Sequence, residues 1–558
     1  MKRLLILTHL LVLIFTFNLN SQNLEQPKLV VGIVVDQMRF TDLYRYYNLY
    51  TEGGFKRLLN KGSNFTNAHY NYLPTNTGPG HASIYTGTTP YYHGIINNDF
   101  YDRTLKKSMY CVNDPDVKSV GSNDDEGKKS PKYLLSTTIT DALKLFTNKK
   151  SKVISISIKD RGAILPAGHL ADGVYWYNFK SGDFISSTYY MKELPVWVKD
   201  FNNKKIPDKY LSGEWNLLLD KKFYEINSPD ESAYEPDFFK EGKRSFPHSF
   251  KNLSADEKYN AFAFTPFIHD MMLEFTKSAI KNENLGKNSV PDFLAISFSS
   301  TDLIGHTWGN YSYELMDTYL RLDRQLAELM NFLDKEIGEK NYLLFLTSDH
   351  GAVETPAYLR DNKIPTGELQ NSKILDSLKA FSNRKYGTDK IIEYYSYGFV
   401  YLDRNVLEKS NLDYFNIEKE ISKYLRDVFP EIQTIATRSE LENSTASRDN
   451  DNLILNGWHP SKSADIIFNL RPGYLFRFLE RGTTHGTSYT YDTHIPLIFY
   501  GWKIPKQEVN DKVFIVDIAP TIANLLKITQ PNACIGQPLI KSHMLQLPEE
   551  SKIPGYVE

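Results

Sequence analysis

Three apolar runs in this chain end in residues that can hold a cation. Tyr342-Leu343-Leu344-Phe345-Leu346 leads into Asp349-His350-Gly351, Val30-Val31-Gly32-Ile33-Val34-Val35 into Asp36, and Phe293-Leu294-Ala295-Ile296-Ser297-Phe298 into Asp302-x-x-x-His306. Runs of that length and make-up predict buried parallel strands, whose carboxyl ends form the edge where open α/β folds bind ligands. Carboxylates and imidazoles without thiolates suit zinc or another borderline divalent ion, and imidazole disfavours a pure magnesium or calcium cage. Two sites can be assembled. Asp302 and His306, at i and i+4, share one face of a helix, and His485 in Gly482-Thr483-Thr484-His485-Gly486-Thr487 completes that set, since glycines let the backbone bring an imidazole close to an ion. Asp36, Asp349 and His350 make the second site, whose fourth ligand can be a nucleophile.

The elements between these residues predict an α/β fold, a mostly parallel central sheet with helices on both faces. Ile139, Ala142, Leu143 and Phe146 mark a helix over Thr137–Phe146, and Val153–Ile158 reads as the next strand. Leu322, Leu326, Leu329, Met330 and Leu333 mark a long amphipathic helix before the Tyr342 run. The stretch from Tyr70 to Tyr101, dense in Gly, Pro, Thr and Asn, reads as a loop. Two regions break the rhythm, about 176–289 and about 355–480, the latter with strand-like Tyr394–Leu402 and helix-like Ile417–Val428. They read as insertions at the carboxyl edge of the sheet, where a cap would sit. The core pattern resumes at Ile495–Tyr500 and closes with a helix over Ile518–Leu526.

Composition narrows the class. The 558 residues suffice for one large domain with insertions, and 65 basic against 67 acidic residues leave no basic patch of the kind nucleic acid requires, so no nucleic-acid partner is expected. Lys2-Arg3 before an apolar stretch from Leu4 to Phe17, with Asn20-Ser21-Gln22 after it, has the layout of a cleaved secretory signal, residues 1–21, with the main domain over 22–558. A membrane anchor is the competing reading, but the run is shorter than the roughly 20 residues a spanning helix needs. The expectation is an exported protein, periplasmic or secreted, and a monomer. Cys111 and Cys534 could pair in that compartment or stay as separate buried thiols.

The order Asp36, Thr77 in Asn76-Thr77-Gly78-Pro79-Gly80-His81, Asp302-x-x-x-His306, Asp349-His350-Gly351 and His485-Gly486 resembles the alkaline phosphatase superfamily, and within it the bacterial PafA-type alkaline phosphatases. The resemblance implies that Thr77 is the nucleophile, that Asp36, Asp349 and His350 bind one zinc with Thr77, and that Asp302, His306 and His485 bind the other. The implied reaction is phosphomonoester hydrolysis, with the Thr77 alkoxide attacking phosphorus between two zinc ions and zinc-bound water hydrolysing the phosphothreonine. A threonine hydroxyl is a weak nucleophile at neutral pH, so activation by a divalent ion fits the chemistry. The resemblance also implies that Asn98, Lys159 and Arg161 contact nonbridging phosphate oxygens, which selects a dianionic monoester. A phosphodiesterase or nucleotide pyrophosphatase of the same superfamily is the nearest alternative, and a non-catalytic phosphate- or metal-binding protein is the alternative outside it. Thr77-Gly78-Pro79-Gly80-His81 lacks the modifiable Cys or Ser and the Arg that sulfatase chemistry needs. His81, His93, His169 and His494 are expected to be supporting or core residues rather than ligands.

Overall fold

The computed structural model describes residues 25–477, 479–541 and 545, so the leader assigned to residues 1–21 lies outside the described residues. A ten-stranded mixed sheet forms its centre. The strands are β1 (Leu29–Val35), β2 (Ser63–Phe65), β3 (Ser119–Val120), β4 (Val153–Ser157), β5 (Gly173–Tyr177), β6 (Phe184–Ser187), β7 (Asp292–Phe298), β8 (Tyr342–Thr347), β9 (Leu497–Gly501) and β10 (Gln507–Val509), in the order β10-β2-β9-β8-β1-β7-β4-β5-β6-β3. The five neighbours β8, β1, β7, β4 and β5 are parallel. On either side β9 and β6 run antiparallel, so the parallel arrangement expected from the sequence holds for the middle of the sheet and not for its flanks. Pro496 accounts for part of this. It splits the expected Ile495–Tyr500 run, so His494–Ile495 pairs with Ala68–His69 in a separate small sheet and β9 starts at Leu497.

Residues of β1 alternate between two cores. Leu29, Val31, Ile33 and Val35 join the apolar faces of helices Phe267–Asn282 and Tyr313–Glu336, while Val30 and Val34 pack with Ile139, Tyr85 and Ile522 on the other face. Both faces are therefore covered by helices, as a parallel sheet requires. The helix Ile139–Phe146 starts two residues later than its apolar period suggests, because Thr138 caps it. Its Oγ1 accepts from Asp141 N–H and its own N–H donates to Asp141 Oδ2, both at 3.0 Å.

The two expected insertions differ from their sequence outline. Trp176 lies inside β5, and β6 still belongs to the main sheet, so the first departure from the sheet begins after Ser187 rather than at 176. In the second region, a four-stranded antiparallel sheet (Ile392–Ser396, Phe399–Leu402, Ile466–Leu470, Ile432–Thr437) packs on helices Asn371–Tyr386 and Tyr414–Val428. It has its own core around Leu378, Ile421, Leu425 and Phe468. The single strand expected over Tyr394–Leu402 is a hairpin that reverses at Tyr397-Gly398.

Candidate metal and phosphoryl-transfer site

Register brings the ligand candidates together. Val35 lies opposite Phe298, and Val34 opposite Thr347, so the residues that follow β1, β7 and β8 leave the sheet at one edge. Asp36, Asp349 and His350 are fully buried there, and Asp302 nearly so. The helix Ser300–Trp308 carries Asp302 in its first turn and His306 in its last, with His306 Nε2 3.1 Å from Asp302 Oδ1. His485 arrives on a loop that packs on the end of that helix. Gly482 there has φ 69°, and a Cβ on it would lie 1.9 Å from the His306 carbonyl oxygen, so only glycine allows the approach. His485 Nε2 then sits 3.6 Å from Asp302 Oδ1.

Each of the three imidazoles is anchored at Nδ1 by a carbonyl: His306 by Thr483 (2.8 Å), His350 by Gly351 (3.0 Å) and His485 by Thr75 (2.8 Å). A carbonyl only accepts, so Nδ1 carries the proton in each. In His350 and His485 Nε2 then presents a lone pair inward, the arrangement found at metal-ligating histidines. His306 Nε2 instead donates to Asp302 Oδ1, and against the opposing effect of burial that carboxylate holds its imidazole above the ordinary value. Ligand atoms of Asp302, His350 and His485 lie within 4.8 Å of one another, as do those of Asp36, Asp349 and His350. The two halves share His350, so they adjoin more closely than a clean split of the six residues suggests. His306 stands at the margin, touching Asp302.

The electrostatics are those of a cation site. Burial pushes the Asp349 carboxyl well above its ordinary range, and the neighbouring Asp36 carboxylate adds to the shift. Burial likewise holds His350 neutral, down to about 4, and lowers His485 well below the ordinary imidazole value. Asp36 Oδ1 and Asp349 Oδ2 are buried and accept no hydrogen bond. Buried, unsatisfied carboxylate oxygens beside neutral imidazoles are costly unless a cation meets them. The residues therefore fit a pair of divalent ions. Lys159, just past β4, supplies part of the positive charge: its Nζ lies 2.7 Å from Asp36 Oδ2 and 2.5 Å from Asp302 Oδ2. Burial would lower its pKa, but Asp302 and Asp36 outweigh that and hold the ammonium above its ordinary value.

Thr77 does not sit in a loop. It opens a buried ten-residue helix, Thr77–Thr86, whose Gly-Pro-Gly start misled the sequence reading. Proline is tolerated in a first turn, where its missing N–H costs nothing. Gly80 is required by packing, since a Cβ there would lie 2.4 Å from the Asp349 carbonyl oxygen. Gly32 in β1 similarly admits Tyr85 from this helix, as a Cβ would meet the phenol oxygen at 2.6 Å. The helix thus docks on two strands that supply ligands, and its amino terminus, with its partial positive charge, faces the cluster. Thr77 Oγ1 lies 3.4 Å from both His350 Nε2 and Arg161 Nη2. Asn98 Oδ1 accepts from Gly78 N–H at 2.7 Å, which leaves its NH₂ group available to donate.

Gln37 and Tyr110, which support the cluster, escaped the sequence reading, whereas His81 was expected there as a supporting or core residue. Gln37, in the left-handed region at φ 63°, donates its backbone N–H to Asp349 Oδ1 (3.1 Å) and its amide to Asp302 Oδ1 (2.7 Å), tying the two halves together. Only its position beside Asp36 could have drawn attention to it. Tyr110 bonds Asp160 through its hydroxyl and accepts from Arg161 Nη1 at 3.0 Å, which fixes the guanidinium. His81 bridges the Thr77 carbonyl and Ser297 Oγ, each at 2.9 Å, behind the nucleophile candidate. His93 bonds Ser83, His169 bonds Asp141, and His494 stacks on Phe40 and His69, all away from the cluster. Cys111 and Cys534 are both free thiols.

Comparison with known proteins places the chain in a family. The family model described as type I phosphodiesterase / nucleotide pyrophosphatase matches residues 30–494. The alkaline phosphatase PhoV of Synechococcus elongatus is 43% identical over 523 residues, covering 92% of this chain and 93% of PhoV. The alkaline phosphatase PafA of Elizabethkingia meningoseptica is 42% identical over 515 residues, covering 92% and 94%. The crystal structure of wild-type PafA superposes with a TM-score of 0.88 at 42% identity, covering 92% of this chain and 98% of that one. With overall fold and sequence in agreement over nearly its whole length, the chain belongs to the PafA-like alkaline phosphatases of the type I phosphodiesterase / nucleotide pyrophosphatase family.

Proposed function

We propose that the protein is an exported phosphate monoesterase that works with two zinc ions. The observation that carries the reading is the convergence of Thr77 Oγ1, at a helix amino terminus, with the buried Asp/His cluster and the Arg161 guanidinium 3.4 Å away. When bound, the ions would be held by Asp36, Asp349, His350 and Thr77 on one side and Asp302, His306 and His485 on the other, and would supply Lewis acidity that lowers hydroxyl pKa values and stabilises developing negative charge.

The chain's own groups then do the following. Thr77 Oγ1, once deprotonated, forms a bond to phosphorus as the bond to the leaving oxygen breaks, giving a phosphothreonine and an alcohol. Water attacks phosphorus from the side the alcohol vacated, which returns Thr77 and releases inorganic phosphate. Asn98 through its free NH₂ and Arg161 through its Nη2 edge donate to nonbridging oxygens, while the amino-terminal end of the Thr77 helix adds a fixed partial positive charge there. Lys159 neutralises Asp36 and Asp302 and lies where its ammonium can turn to the same oxygens. A dianionic monoester gains from all of these donors, whereas a diester has one fewer charged oxygen to offer them. Turnover by a nucleophile also separates this reading from a non-catalytic binder, for which Thr77 has no use. The leader-like segment in residues 1–21 supports export to the periplasm or beyond. Among the described residues, no helix is long and apolar enough to cross a membrane.

The family's description keeps phosphodiester hydrolysis as the second reading. The test is kcat/KM of the zinc-loaded protein for an aryl phosphate monoester, the matched methyl diester and an aryl sulfate, repeated after chelation and zinc return. The monoester should lead by orders of magnitude, with activity lost on chelation and restored by zinc. Faster diester turnover would replace the proposal with the second reading.

A further inference from the structure

A cavity of about 480 Å³ opens beside the cluster, reached past Asn76, Asn98 and His485 and walled on its far side by Tyr397, Phe476 and Arg477 of the second inserted region. That volume lies within the range of sites that enclose a small organic molecule. It adjoins His485, which belongs with Asp302 and His306 to the half that does not hold Thr77. In-line displacement sends the leaving oxygen to the side opposite the Thr77 nucleophile, so under the reading above, on which this inference rests, the cavity lies on the leaving-group side.

The wall is built at a conformational cost. Ser396 pairs with Phe399, so Tyr397 and Gly398 form a two-residue hairpin loop, and both have positive φ, 45° and 85°. This pattern is that of a type I′ turn, whose first position favours Asn, Asp or Gly. A bulky side chain with positive φ is a genuine outlier. The local gain is modest: Tyr397 N–H donates to Asn371 Oδ1 at 3.1 Å, but the ring is half exposed and packs on no core. Gly398 has no room for a Cβ, which would lie 2.5 Å from the Phe468 carbonyl oxygen of the neighbouring strand and 2.9 Å from Phe476 Cζ. The Tyr397 and Phe476 rings meet edge to face, 6.0 Å apart at 87°, with Phe468 behind Phe476 at 5.8 Å. Two perpendicular rings make a corner into which a third flat ring can stack on one face and meet an edge on the other. Arg477, an exposed cation beside them, can lie over or hydrogen-bond to such a ring. Strained, exposed residues at the rim of a reactive centre point to a role in binding rather than in folding.

We infer that Tyr397, Phe476 and Arg477 form a leaving-group subsite for planar aromatic alcohol moieties, so that aryl and nucleoside monophosphates are preferred over monophosphates of small alkyl alcohols. Stacking of one ring is expected to contribute about 5- to 150-fold in kcat/KM. The test compares phenyl phosphate, adenosine monophosphate and glycerol phosphate in wild type, Tyr397→Asn, Tyr397→Phe and Phe476→Ala. Tyr397→Asn should lower the ratio of aromatic to glycerol phosphate kcat/KM about 5- to 150-fold while raising thermal stability, because Asn suits the turn. Phe476→Ala should lower the same ratio, and Tyr397→Phe should keep it. A fall for phenyl phosphate alone would assign the subsite to aryl groups, and one for adenosine monophosphate alone to nucleobases. Unchanged ratios in both Tyr397→Asn and Phe476→Ala would overturn the inference. Binding of phenylphosphonate against methylphosphonate, measured by calorimetry on the same variants, tests the subsite without turnover. If zinc-loaded wild type hydrolysed no monoester yet Tyr397→Asn weakened phenylphosphonate selectively, the functional reading would fail and the subsite would stand. Equal binding of the two phosphonates by every variant would remove the subsite.

Discussion

Arg161→Ala offers the cleanest perturbation of substrate charge recognition. Lys159 is the other cation, but its contacts with Asp36 and Asp302 mean that its loss would disturb the ligand cluster as well. Arg161 touches neither carboxylate. Its Nη1 is taken by Tyr110, its Nε is buried without a partner, and its Nη2 has only the 3.4 Å contact with Thr77 Oγ1. The Nε/Nη2 edge is thus free for a bidentate pair with two phosphoryl oxygens. At about 1.5 to 3 kcal/mol per charge-assisted contact, the pair contributes about 3 to 6 kcal/mol, or roughly two to four decades in kcat/KM for a monoester. A diester, with one of those oxygens esterified, retains a single contact and should lose about one to two decades. The assay is kcat/KM for 4-nitrophenyl phosphate and its methyl diester in wild type and variant, with bound zinc measured in both. Equal losses on the two substrates, or a monoester loss under tenfold with zinc retained, would refute the reasoning and leave Arg161 a structural role beside Tyr110.

Two further outcomes follow from buried charge. Lys159→Ala leaves Asp36 and Asp302 facing each other without a cation in chelated protein, which should destabilise that state by about 3 to 5 kcal/mol, read as a lower denaturation midpoint, with the gap narrowing once zinc is bound. An equal gap with and without zinc would show that the ammonium and the ions do not neutralise the same charge. Asp492, fully buried, takes two hydrogen bonds from Thr487 near the His485 loop, and burial pushes its carboxyl up to about 7. The unfolded chain releases that proton near 4 and the folded one near 7, so the folded state binds more protons between those values and wild type loses stability as pH rises through the window. Asp492→Asn removes this slope, and its stability relative to wild type should therefore grow from pH 4 to pH 7 by up to about 4 kcal/mol; a flat difference would contradict the assignment.

The positions of Asp36, Asp302 and Asp349 could be read in advance because each follows an apolar run long enough to be a parallel strand, and parallel strands share a ligand-binding edge. The i, i+4 spacing of Asp302 and His306 likewise translated directly into one helix face. The Thr77 helix was hidden by Gly78-Pro79-Gly80, residues usually found in loops, which here permit close packing against Asp349 and the first turn of a helix. Gln37 and Tyr110 were out of reach because their contacts span residues remote in sequence or depend on a backbone angle that no local pattern reveals. The hairpin at Tyr397-Gly398 was read as continuous strand for a related reason: tyrosine is a poor turn former, and no local pattern signals its positive φ.

The central claim is that Thr77 accepts the phosphoryl group. Zinc-loaded protein turning over a ³²P-labelled aryl monoester is quenched in acid within the steady state and digested, and the labelled peptide is sequenced by mass spectrometry. The account predicts one phosphorylated residue, Thr77, with no label in Thr77→Ala and a loss of several orders of magnitude in that variant's turnover. Label on another residue, or near-normal turnover by Thr77→Ala, would contradict it.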